Sequence, residues 1–237
     1  MDVVKLLYRA ILPGNDRGMR LSREYQSPNF SSLQIPVEFL ILHYTACDLK
    51  KTMEIFLDPK TQITAHFVVD SDGTIYDLAD LWQGPMLRGA HAGKSNFQLE
   101  GKSFTSFNDF AIGIEIVNQN GNIYPYSDAQ YEALRELITH LQQRFLALKD
   151  SKRIIGHEHI AHWRGKSDPG LQFDWQRLLT SLGLPVLEQH RFHACLEDDA
   201  DFLRARTENA PGFSEDPEFW SNLSSELEQR IAARVAK

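Results

Sequence analysis

Phe39-Leu40-Ile41-Leu42-His43-Tyr44-Thr45 is an apolar run that ends abruptly on a histidine. Bounded by Pro36, residues 37–43 are too short and too apolar for a surface helix and read as a buried strand. A second run, Ala111-Ile112-Gly113-Ile114-Glu115-Ile116-Val117, reads as another central strand with a carboxylate in its middle. Glu115, flanked by Ile114 and Ile116, is costly in such a strand without a partner. It needs a cation, hydrogen-bond donors or a place at the edge of a site.

Between and after these strands the patterning alternates. Leu49, Met53, Phe56 and Leu57 fall on one helical face, with Asp48 as N-cap and Pro59 as terminator. Residues 65–69 and 74–77 flank Asp70-Ser71-Asp72-Gly73 and read as a hairpin. Residues 82–110, rich in Gly, Ser and Asn, read as a long loop. Ser127-Asp128-Ala129-Gln130 is a capping box opening a helix that places Tyr131, Leu134, Leu137, Ile138, Leu141 and Phe145 on one side. Ile154-Ile155 is a short strand, and residues 174–182 form a further helix. The expected class is α/β, a mixed central β-sheet flanked by α-helices. Residues 1–36 read as an N-terminal arm, 37–185 as the main domain and 186–237 as a helical C-terminal extension. The last helix opens at Asp216-Pro217 and repeats Phe219, Leu223, Leu227, Ile231 and Val235 every four residues. It is expected to pack on its own domain; a dimer contact or a hold on substrate are the alternatives.

Composition narrows the function classes. A formal charge of −7 argues against a broad basic surface for nucleic acid. No apolar run approaches the ~20 residues of a bilayer helix, so no membrane role is expected. The start Met1-Asp2-Val3-Val4-Lys5 does not resemble a signal peptide, and the expected compartment is the cytoplasm, or the periplasm if an export signal has been removed. Cys47 and Cys195, the only two cysteines, read as free thiols rather than a disulfide framework.

The chemistry concentrates downstream, in Gly156-His157-Glu158-His159-Ile160-Ala161-His162-Trp163-Arg164-Gly165-Lys166-Ser167-Asp168-Pro169-Gly170. His43, His157 and Asp168 together supply two imidazoles and a carboxylate, a set that suits zinc, leaves a position for water and points to a hydrolase. Taken singly, His43 is more readily a core histidine bonded to a carbonyl, and Asp168 a turn residue before Pro169-Gly170. His157, His159 and His162 are spaced by two, three and five residues, so the four-residue pair of a zincin helix is absent. His159 and His162 are therefore read as loop residues.

The chain resembles the zinc-dependent N-acetylmuramoyl-L-alanine amidases of the type 2 amidase family, which includes AmpD-like enzymes and is related to peptidoglycan recognition proteins and amidase-type phage lysozymes. The matching motifs are Ile41-Leu42-His43-Tyr44-Thr45-Ala46, Ala65-His66-Phe67-Val68-Val69, Gly89-Ala90-His91-Ala92-Gly93, Ile112-Gly113-Ile114-Glu115, and Gly156-His157 with Lys166-Ser167-Asp168-Pro169-Gly170. They occur in family order over roughly residues 37–180. The resemblance implies Zn2+ held by His43, His157 and Asp168, Glu115 as catalytic carboxylate and Lys166 as a cation at the reacting carbonyl. Residues 158–165 carry nothing over.

His66, His91 and Tyr44 are candidates to contact sugar or peptide, with packing as the alternative for each. The substrate implied is the amide between N-acetylmuramic acid, in its 1,6-anhydro form or not, and L-alanine of the peptidoglycan stem peptide. Its partners would be muropeptides of cell-wall turnover or recycling. The competing readings are a muropeptide sensor without turnover and a zinc peptidase cutting within the stem peptide.

Overall fold

A computed structural model of the chain describes residues 19–236. Its centre is a six-stranded sheet of order β1-β4-β3-β7-β2-β8, formed by β1 (Leu21–Ser22), β2 (Phe39–Tyr44), β3 (Phe67–Val69), β4 (Ile75–Asp77), β7 (Ala111–Ile116) and β8 (Ile154–Gly156). Within this sheet, among the described residues, β3 and β4 pair antiparallel, as the hairpin expected around Asp70–Gly73, and the other neighbouring pairs are parallel. The α/β class is as expected.

Alternation along the two middle strands divides the core. Leu40 and Leu42 of β2, with Ile112, Ile114 and Ile116 of β7, face α2 (Asp128–Arg144) and α4 (Trp175–Ser181) through Leu134, Leu137, Ile138, Leu141, Leu178 and Leu179. Phe39, Ile41, Ala111 and Ile155 face the other way, against Phe107 and against Ile160 and Ala161 of α3 (His157–Ala161). Helix α1 (Leu49–Leu57) is capped by Asp48, whose side chain accepts from the Lys51 amide, and α2 opens on the Ser127–Gln130 capping box.

The loop expected over 82–110 contains a second hairpin, β5 (Asn96–Leu99) and β6 (Lys102–Thr105). Its strands are short and largely exposed, and only Phe97, Leu99 and Phe104 reach the core, so the apolar alternation is faint. Of the arm expected at 1–36, residues 1–18 lie outside the described residues. The remainder supplies β1 and the buried Ile35.

The C-terminal part adds α5 (Glu197–Thr207), which the charged 188–201 segment conceals, and α6 (Pro217–Val235), opening on the Asp216 cap. Trp220, Leu223, Leu227 and Ile231 of α6 bury against Leu203 of α5, Ala194 and Cys195, with Ile123, Tyr124 and Leu171 of the main fold packed alongside. Both cysteines are free and buried. Among the described residues, no helix is long and apolar enough to cross a membrane.

Candidate active site

Three parallel strands deliver the site residues at their carboxyl ends, where α/β sheets commonly open clefts. His43 is the penultimate residue of β2, Glu115 that of β7, and His157 follows β8 directly as the first residue of α3. His43 and Glu115 are register partners, so imidazole and carboxylate lie side by side on one face of the sheet.

Asp168 arrives on the segment after α3. The Glu158 amide donates to the Asp168 carbonyl at 3.0 Å, the Tyr126 hydroxyl to the Pro169 carbonyl at 2.7 Å, and the Asn122 amide to the Ser167 hydroxyl at 3.0 Å. These bonds fix the carboxylate against both rings. Asp168 Oδ2 lies 2.9 Å from His43 Nδ1 and 3.1 Å from His157 Nδ1, and the two Nδ1 atoms are 3.2 Å apart. All three residues are buried.

The hydrogen-bond network assigns the tautomers. His157 Nε2 faces the Ala92 carbonyl at 3.0 Å and therefore carries the proton, leaving a lone pair on Nδ1. His91 Nε2 faces the Ala111 carbonyl at 3.2 Å and donates to it; its Nδ1 then accepts from His43 Nε2 at 3.1 Å. His43 Nδ1 is left as a lone pair too. Burial lowers the pKa of His43 to about 4, with Asp168 opposing, so the neutral ring is the favoured form.

Three acceptors thus converge within 3.2 Å, an arrangement that repels itself unless a cation lies among them. The spacing is close to the ~3.3 Å edge of a tetrahedron whose metal–ligand bonds are about 2.0–2.1 Å. The same three residues form a group able to hold a metal ion. The donor set fits zinc.

Around them opens a cleft of about 240 Å³, reached by Tyr44, His91, Glu115 and Lys166 as well as the three donors. Burial, reinforced by Asp168, raises the pKa of Glu115 well above the ordinary carboxylate range, and its Oε2 is buried without a hydrogen-bond partner. Lys166 pairs with Glu228 of α6 at 2.5 Å. Tyr44 is a buried lining residue, its hydroxyl 3.4 Å from Ser224 of α6, and burial raises its pKa.

The other sequence candidates divide. His91 lines the cleft and orients His43, and Gly113 makes room for it: a Cβ there would meet the His91 ring at 2.4 Å. His66 does not reach the cleft. It is fully buried, with Nε2 donating to the Leu87 carbonyl at 2.8 Å and Nδ1 accepting from the Gly113 amide at 2.9 Å, which corrects the expected substrate contact to a packing role.

The loop reading of His159 and His162 is also corrected. His159 lies in α3, where its ring accepts from the Gly156 amide and donates to the Gln189 carbonyl; His162 begins a 3-10 turn and packs on Phe192. Sequence reasoning passed over Glu158, whose fully buried carboxylate accepts from the Ala194 amide and lies 3.3 Å from His193. It also passed over the cleft-lining residues of α6, Ser221, Ser224, Ser225 and Glu228. Their spacing of three or four was the one available signal.

Comparison with known proteins identifies the family. The family described as N-acetylmuramoyl-L-alanine amidase matches residues 33–171. The 1,6-anhydro-N-acetylmuramyl-L-alanine amidase AmpD of Haemophilus influenzae is 33% identical over 180 residues, covering 68% of this chain and 91% of that protein. A crystal structure of a selenomethionine AmpD derivative superposes with a TM-score of 0.54 at 26% identity, over 69% of this chain and 94% of that one. The N-acetylmuramyl-L-alanine amidase AmiD of E. coli, in complex with anhydro-N-acetylmuramic acid-L-Ala-D-gamma-Glu-L-Lys, shares the fold with a TM-score of 0.55 at 23% identity, over 86% of this chain and 81% of that one. The AmpD-like motifs, the mixed sheet and these matches lead to one conclusion: the chain belongs to the N-acetylmuramoyl-L-alanine amidase family.

Proposed function

We propose that this amidase is a zinc enzyme of cell-wall recycling that hydrolyses the amide between 1,6-anhydro-N-acetylmuramic acid and the L-alanine of the stem peptide. The observation that carries the zinc assignment is the convergence of His43 Nδ1, His157 Nδ1 and Asp168 Oδ2 to within 3.2 Å of one another. The anhydro sugar follows from likeness to a relative that bears it in its name and is covered over 91% of its length. Such sugars mark released turnover fragments, so the partners are soluble muropeptides. Two free buried cysteines suit a reducing compartment, and we place the activity in the cytoplasm.

When bound, Zn2+ would polarise the scissile carbonyl and lower the pKa of a water toward about 7. The chain's own residues do the rest. Glu115, raised in pKa by burial and by Asp168, accepts the proton of the attacking water and delivers it to the departing nitrogen. Lys166 presents an ammonium to the oxygen on which negative charge develops. His91 holds His43 in the tautomer that turns Nδ1 inward. Water's oxygen bonds to the lactyl carbonyl carbon, the carbon–nitrogen bond breaks, and the products are a muramic carboxylate and a peptide with a free L-alanine amine.

Mass analysis after incubating the zinc-loaded protein with an anhydromuramyl tripeptide tests this reading. The expected products are the anhydro sugar acid and the intact tripeptide. A cut within the peptide would indicate a stem peptidase, and tight binding without products would indicate a sensor.

A further inference from the structure

We propose that Glu228, on the C-terminal helix, is a positioning residue that aims the Lys166 ammonium into the cleft, so that α6 is a working wall of the active site. This rests on the role proposed for Lys166 above. Helix α6 spans Pro217–Val235, beyond the residues 33–171 that match the family, so nothing in the family match assigns it a part.

Two independent features tie the helix to the site. Glu228 Oε1 lies 2.5 Å from Lys166 Nζ, and both side chains are largely withdrawn from solvent, with 32% and 24% exposed. The backbone of α6 at the same residue also rests directly on Gly165, the neighbour of Lys166. A Cβ at Gly165 would meet the Glu228 carbonyl oxygen at 1.9 Å, and the φ of +89° there is one that few side chains tolerate. Contact at that closeness is available only to glycine, so the seat of the helix is built into the segment that carries Lys166 and Asp168.

A lysine on a flexible four-carbon stem loses orientation unless a partner holds it. Its ammonium has three donors. One is committed to Glu228, which leaves two for the cleft that Ser221, Ser224, Ser225 and Glu228 help to line. Without Glu228 the ammonium wanders, and misplacement of a stabilising cation slows turnover more than it weakens ground-state binding.

The test is a double-mutant cycle with zinc-loaded protein and an anhydromuramyl tripeptide, combining Glu228→Ala with Lys166→Met and following kcat, KM and thermal unfolding. Lys166→Met is expected to lower kcat about 100-fold. Glu228→Ala alone is expected to lower kcat about tenfold with KM within about twofold, and to cause no further loss once Lys166 is methionine. Glu228→Gln, which keeps an acceptor for Nζ and disturbs the helix least, is expected to recover most of the rate.

An equal loss from Glu228→Ala in both backgrounds would reduce the residue to helix seating and overturn the proposal. A rise in kcat would overturn it in the other direction, because Glu228 would then be neutralising the lysine. Full activity of Lys166→Met would remove the lysine's own role, a failure of the underlying reading that the single variant reveals by itself.

Discussion

His43 and Glu115 are register partners on adjacent parallel strands, β2 and β7, and both point to the face that carries the cleft. Strand pairing therefore sets the distance between a proposed metal ligand and a proposed proton carrier, with no loop between them to blur it. Sites built on sheet elements hold such geometry more tightly than loops do.

Glu115→Gln should separate activity from stability. The carboxylate has a buried oxygen without a partner and a raised pKa caused by burial and by Asp168, so its charge is held against the local environment. The amide keeps the shape and removes that charge. kcat should fall by about 10²–10⁴ while stability at neutral pH stays equal or rises by about 1 kcal/mol. Steady-state kinetics and urea unfolding measure the two effects; an undiminished kcat would take Glu115 out of the mechanism.

Gly113→Ala should weaken zinc binding without touching a ligand. The added methyl would push on the His91 ring, whose Nδ1 accepts from His43 Nε2 and so fixes the ligand's tautomer. Disturbing an outer partner of a metal-bound histidine typically costs about 10–100-fold in affinity. Competition against a chromophoric chelator reads this directly, and unchanged affinity would show that His91 does not orient His43.

His66 should make the fold sensitive to mild acid. Burial lowers its pKa to about 4 from the ordinary histidine value near 6.5. The unfolded chain therefore binds a proton between about pH 6.5 and 4 that the folded chain refuses, and stability contributed by the neutral ring is lost as pH falls through that window. The upper bound is roughly 3 kcal/mol. His66→Gln can keep one donor and one acceptor but cannot titrate, so its stability relative to wild type should improve from pH 7 to pH 5 in urea titrations. A constant difference would contradict the assignment.

Legibility in the sequence followed burial and spacing. β2, β7, α1 and α2 are readable because their apolar periods are complete and the helix caps are explicit, Asp48 for α1 and Ser127 with Gln130 for α2. The β5–β6 hairpin is not, since it turns at Glu100-Gly101, both with positive φ, where Asn-Gly or Asp-Gly would have announced the turn. Helix α5 has three acidic residues in its first turn, an N-terminal signal hidden within a segment that reads as merely charged.

Motif order brought His43, Glu115, His157 and Asp168 to attention, but it could not distinguish His91 at the cleft from His66 beneath it. Both stand beside small residues in short motifs. Only the packing of the 89–92 segment on Gly113 separates the ring that meets His43 from the one bonded to backbone on both sides. The contribution of α6 was hidden for a related reason: its serines and Glu228 sit on a helix whose apolar stripe accounts for the pattern already.

The most direct measurement is to strip the protein with a chelator, titrate Zn2+ back, and follow bound metal and amide hydrolysis together in wild type and in Asp168→Asn. Wild-type hydrolysis should rise in step with occupancy and level off at one zinc per chain, while Asp168→Asn should bind weakly and turn over little substrate. Full hydrolysis by the stripped protein, or undiminished zinc uptake and turnover by Asp168→Asn, would contradict a metal held by His43, His157 and Asp168.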